Sequence, residues 1–225
     1  MLFVTSIILT YHLISINVES KERPMAKPSS RNHIIAVATE LFAERGLSVS
    51  LREVNEAAGL SAAAVHYHFK NKGALIDAVL RSRMRPKAER EGQLRQLATA
   101  PKVTIDDIVR TLLAPLREVL SEDAIAGRQY ARVIARVYAE QSEELPLLDE
   151  FLSPANALIA MLAQQRPDLS LLQCRLRYGF AVEAMLNTLS CVHFPSPFGG
   201  DEVADDMAML FDELQQFLVA GLSAP

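Results

Sequence analysis

Gly59 sits between two runs of helix-forming residues, each too short to stand alone. That placement restricts the chain from Ser50 to Leu75 to short helices meeting at a tight corner. The first run opens with a capping box: Ser50 is followed three residues later by Glu53, so hydroxyl and carboxylate satisfy the amides that a helix start leaves unpaired. A helix therefore begins at Leu51 and reaches about Ala58, where a glycine turns the chain through the left-handed region without a Cβ penalty. Ser61 is a second N-cap candidate, and Ala62, Ala63 and Ala64 carry strong helix propensity on through Phe69. Val65 and Phe69 share a face with Leu60 and point inward against Leu51 and Val54, which leaves Ala62, Ala63, His66 and Tyr67 outward.

An outward tyrosine and histidine, with small residues before them and Lys70 and Lys72 after, suit a DNA major groove and its flanking phosphates. The same pattern fits a small three-helix core with a solvated polar face, and periodicity alone does not separate the two. Charge is unevenly spread: residues 25–90 hold 11 Lys+Arg against 6 Asp+Glu, net +5, while residues 91–225 hold 10 against 19, net −9. A basic head attracts phosphate, and an acidic remainder stays off DNA.

From about Ser30 to Leu80 the chain resembles the TetR family of bacterial transcription regulators. The matching residues are Ala38, Leu41, Phe42 and Gly46 in the first helix, Ser50, Val54, Ala57, Ala58, Gly59 and Leu60 around the turn, then Tyr67, His68, Phe69, Lys72 and Leu75. The resemblance implies an all-α protein with a three-helix, helix-turn-helix DNA-binding head over 25–88. It also implies a helical ligand-binding and dimerisation body over 89–225, acting on double-stranded DNA as a homodimer. Carried over residue by residue, the DNA-facing set is Ser50, Arg52, Ala62, Ala63, His66, Tyr67 and Lys72, with Arg52 a groove or phosphate contact and Lys72 a phosphate clamp at a helix start. His68 borders the buried face and is assigned to packing or contact alike. The run AAAVHYHFKNKGAL is most similar to the branch that includes some fatty-acid-responsive repressors. Family members often carry Lys, Arg, Pro, Thr or Ser where Ala62 to Ala64 stand. Alanines touch only thymine methyls or let the backbone approach closely, so few side chains remain to read bases and operator shape gains weight.

The remaining chain is read from its period. Ser29 or Ser30 caps a first helix with Ile34, Ala38, Leu41 and Phe42 on one stripe. A fourth helix starts near Asn71 and ends in the basic run Arg81, Arg83, Arg85 before Pro86; in the family this helix links head to body. Thr104 with Asp107 forms another capping box ahead of a long amphipathic helix that Pro115 should kink or locally open. Tyr130, Val133, Ile134, Val137 and Tyr138 continue at helical spacing, and Pro146, Pro154 and Pro167 punctuate the next stretch of chain. Leu169–Val192 is apolar nearly all round and must be buried on most sides; after the loop Phe194–Gly200, a last stripe runs from Val203 to Leu218. The resemblance implies that these last two helices pair with their copies in a second subunit, whereas periodicity alone also allows a monomer core. No β period appears anywhere.

Met1–Val18 carries no charge but has no basic n-region and no small-residue cleavage site, and six polar side chains dilute it. The expectation is a start-site artefact or disordered extension over residues 1–24, with Met25 as the natural beginning, rather than a membrane anchor. Cys174 and Cys191, two cysteines in 225 residues, exclude a disulfide framework and suit a reducing cytoplasm. No catalytic or metal motif emerges, since His66 and His68 are two apart and diverge on a helix. A non-enzymatic regulator without cofactor is therefore expected, the rival being a helical interaction protein tethered by its N-terminus. Tyr130, Tyr138, Met161, Arg175 and Met185, with Arg177 nearby, are the candidate lining for an acyl or carboxylate effector.

Overall fold

The computed structural model describes residues 30–140, 148–191 and 206–225. Ten helices and no strand occur among the described residues: α1 (Ser30–Arg45), α2 (Leu51–Ala57), α3 (Ala62–His68), α4 (Lys72–Arg81), α5 (Lys87–Ala98), α6 (Ile105–Glu122), α7 (Ala124–Glu140), α8 (Leu148–Gln165), α9 (Leu171–Ser190) and α10 (Met207–Ser223). The expectations for residues 1–24, Pro146, the loop Phe194–Gly200 and Val203 lie outside the described residues. None of the described helices is long and apolar enough to cross a membrane.

The corner forms as its residues require. Ser50 caps α2 in a complete box, its amide donating to Glu53 Oε2 at 2.8 Å and its hydroxyl accepting from the Glu53 amide at 3.3 Å. Gly59 takes φ +63° and Gly46, after α1, takes φ +88°, both in the region where a side chain would be strained. Ser61 occupies the N-cap of α3 but makes no side-chain cap bond. Asn55 of α2 acts in its place: buried at 4% exposure, it accepts the Val65 amide on Oδ1 at 3.2 Å. One carboxamide thus fixes α3 against α2.

Val54, Val65 and Phe69 are buried with Ile34, Ala38, Phe42, Leu75 and Val79, and Leu51 and Leu60 pack beside them. This head core is not closed by the head alone. Val133 and Val137 of α7 are buried in it, and Met84 and Ile134 border both it and a second core built from α6 to α10. The second core holds Ile108, Leu113, Leu120, Tyr130, Leu162, Leu189 and Phe211. α6 runs unbroken through Pro115, which faces solvent, and its Thr104–Asp107 capping box is complete.

Two elements depart from the sequence reading. The chain leaves the helix at Arg81, and a separate α5 comes next that no apolar stripe announced, since it has no buried residue. Leu94 and Leu97 pack half-buried against the second core, and the exposed pairs Lys87–Glu91 at 3.7 Å and Arg95–Glu91 at 3.8 Å add a little helix support. α9, expected to be buried on most sides, is covered on one face only: Cys174, Tyr178, Ala181, Met185 and Leu189 are buried, while Leu172, Leu176 and Phe180 are exposed.

Asn55→Ala would strand the Val65 amide in a dry corner. The variant is expected to lose about 1–3 kcal/mol of head stability in urea unfolding, the usual cost of a buried donor without an acceptor.

Candidate nucleic-acid interface

α3 has barely two turns and presents its outer face at the tip of the head. Tyr67 is 86% exposed, and His66 and Ala63 are exposed beside it, while Ala62 opens the helix. Arg52 projects from α2 with its Nε donating to Glu56 at 2.8 Å, an exposed pair of little energetic weight. Arg52, Ala63, His66 and Tyr67 are therefore open to a ligand, and Ser50 is exposed at the start of α2. Lys72, at the first position of α4, is half-buried, and its ammonium donates to the Leu47 carbonyl. That bond joins α4 to the turn after α1, and two of the three ammonium protons are left over for a phosphate.

His68, at the end of α3, is a strut. Its Nε2 lies 2.7 Å from Ser30 Oγ at the start of α1, and its ring meets Tyr67 edge-on with centroids 5.0 Å apart. Arg31 stacks over Phe69 at 5.3 Å, and His33 Nε2 donates to the Ala58 carbonyl at 3.1 Å. The first turn of α1 thus supports the corner after α2 and the C-terminal end of α3. Glu53 anchors the far side: the Ser50 amide, the Ser50 hydroxyl and then Arg45 lower its carboxyl pKa to about 2.

The candidate effector residues divide. Tyr130, Met161 and Met185 are buried in the second core and Tyr138 packs against it, whereas Arg175 stands exposed on α9. Arg177 donates to the Ala224 and Pro225 carbonyls. Tyr130 ties its hydroxyl to the Leu80 carbonyl at 2.6 Å, and burial pushes its pKa well up. Tyr178, missed in the sequence, is buried beside Tyr138, and burial raises its pKa likewise. The two buried arginines were also missed. Arg128 donates to the Cys191 carbonyl at 2.9 Å, and Arg166 to the Leu222 and Ala224 carbonyls and to Asp168.

Residues 34–79 match the family model described as bacterial regulatory proteins, tetR family, and residues 110–221 match the one for the tetracyclin repressor-like C-terminal domain. The chain belongs to the TetR family. It is 27% identical over 129 residues to the HTH-type transcriptional repressor KstR2 of Mycolicibacterium smegmatis, covering 57% of this chain and 58% of that one. The chain thus spans less than two thirds of that relative's length. Among solved structures, a bacterial regulatory protein in the tetR family from Rhodococcus RHA1 superposes with TM-score 0.58 at 16% identity, covering 86% of this chain and 97% of that one. The ketosteroid transcriptional regulator KstR2 of Mycobacterium tuberculosis gives TM-score 0.55 at 20% identity, covering 88% and 95%. These likenesses establish a TetR-family fold through head and body.

Folding lowers the Glu53 pKa, so its contribution is complete above the ordinary carboxylate range and is lost as pH falls toward about 2. Glu53→Ala is expected to melt below the wild type at neutral pH, with the gap narrowing in thermal melts taken from about pH 6 down to about pH 3.

Proposed function

We propose that this TetR-family chain is a ligand-responsive DNA-binding regulator. It acts as a repressor that holds a near-palindromic operator as a homodimer and leaves it when a small molecule enters the body. The observation that carries this reading is the outward face of α3: a largely exposed Tyr67 beside His66 and Ala63, on a helix locked by Asn55, in the basic part of the chain. A large aromatic left in water on a short, rigidly held helix suits a surface that is covered in use. The repressor assignment draws on the name of the KstR2 relative.

One such head reads too few base pairs for a unique site, so two are required, about one helical turn apart. The exposed stripe of Leu172, Leu176 and Phe180 on α9 runs beside Phe217 of α10, and the two phenylalanines are each 67% exposed. An apolar face of that kind on a helix pair fits a second copy of the chain. In the body, Met161, Met185 and Tyr138 offer apolar and hydroxyl contacts. Their apolar surroundings suit an acyl effector better than a carboxylate, because Arg175 stands outside the core. The unpaired thiols Cys174 and Cys191 fit a reducing cytoplasm.

The test is a salt titration on the duplex that the wild type enriches from a random pool, and on a scrambled duplex. Tyr67→Ala is expected to lose about 1–3 kcal/mol per half-site on the enriched duplex alone, with little change in salt slope. Lys72→Ala should weaken both duplexes by a similar factor and flatten the slope by about one unit per half-site. Equal losses on both duplexes for Tyr67→Ala would remove α3 as the reader.

A further inference from the structure

We propose that Arg136 is a positioning residue for DNA binding, holding the head to the end of α9 through α7 so that the two ends move together. Arg128, Arg132 and Arg136 are four apart and form one stripe along α7, about 12 Å long at helical rise. The first two grip the end of α9, Arg128 on the Cys191 carbonyl at 2.9 Å and Arg132 on the Ser190 carbonyl at 2.7 Å. Arg136 grips the end of α1, donating to the Ala43 carbonyl at 3.1 Å and the Glu44 carbonyl at 3.3 Å. In both places a guanidinium meets the carbonyls that a helix leaves unpaired at its negative end, the strongest polar handle that helix offers.

The grip on α1 is close. A Cβ on Gly46 would lie 2.9 Å from Arg136 Nη1, so the guanidinium lies over bare backbone at the α1 turn. Val133 and Val137, on the same stretch of α7, are buried in the head core, and the Tyr130 hydroxyl holds the last turn of α4 at Leu80. α7 therefore touches both helices that back the helix-turn-helix. α9, at its other end, carries the exposed apolar face. A shift of the α9 terminus relative to the rest of the body must break the Arg128 and Arg132 bonds or carry α7 with it, and α7 cannot move without α1. Close-packed contacts of this kind transmit displacement rather than absorb it.

Hydrogen exchange on the DNA-free full chain tests the coupling without reference to DNA. Arg128→Met with Arg132→Met cuts the α9 grip, and Arg132→Met alone, which removes the Ser190 bond, serves if the double variant does not fold. Exchange at residues 42–49 should rise several-fold when Arg136 is present and show no added rise in an Arg136→Met background. Equal effects in both backgrounds, or no effect at the head, would overturn the proposal. Its role in binding rests on the DNA-binding reading above. Arg136→Met should weaken binding to an enriched duplex with two half-sites by about tenfold, because heads out of place cannot engage together. Binding to a single half-site, and the salt slope, should match the wild type. Equal loss on both duplexes would mark Arg136 as a fold or phosphate contact and overturn the positioning role. If the wild type enriches no duplex, the DNA-binding reading fails, and the exchange cycle still decides the coupling.

Discussion

A seven-residue helix has too few internal hydrogen bonds to persist in water, so α3 exists only because other elements hold it. The hydrogen bond from the Val65 amide to the Asn55 carboxamide is the specific part of that hold. Val65 and Phe69 supply the burial, but apolar contact alone permits rotation about the helix axis, and rotation would move Tyr67 off its bearing. A directed bond from the neighbouring helix sets the angle. Ser30 with His68 sets the other end. What α3 presents to a ligand depends on those two polar contacts being made.

Head and body share α7. α7 belongs to the second core by Tyr130 and Ala131 and to the first by Val133 and Val137. The Arg85–Glu118 pair, with bonds of 2.6 and 2.7 Å, adds a clasp between the link after α4 and α6. That pair is exposed and contributes little stability, yet it is bidentate and restricts orientation. A chain joined this way ties the orientation of one core to the other.

Much of this was legible in the sequence. Capping boxes at Ser50 and Thr104, the turn at Gly59 and the inward face of α3 come from local rules, and the structure shows them where those rules put them. What local rules missed is long-range or polar. Asn55 reads as an ordinary polar residue until α3 is folded onto it. α5 turns only Leu94 and Leu97 toward the second core, too short a stripe to stand out as a helix. The arginine spacing from Arg128 to Arg136 was visible too, but its meaning depends on two helix ends that meet it only in three dimensions. Arg175 resembled a buried contact because its helix is apolar nearly all round, and one chain covers only one side of that helix.

The most direct measurement is a guanine-N7 protection footprint on a duplex enriched by the wild-type chain. Two recognition helices in successive major grooves predict two protected clusters on one face of the DNA, centred about 34–36 Å apart. A single cluster, or a bound duplex with no N7 protection at all, would contradict reading by paired α3 helices.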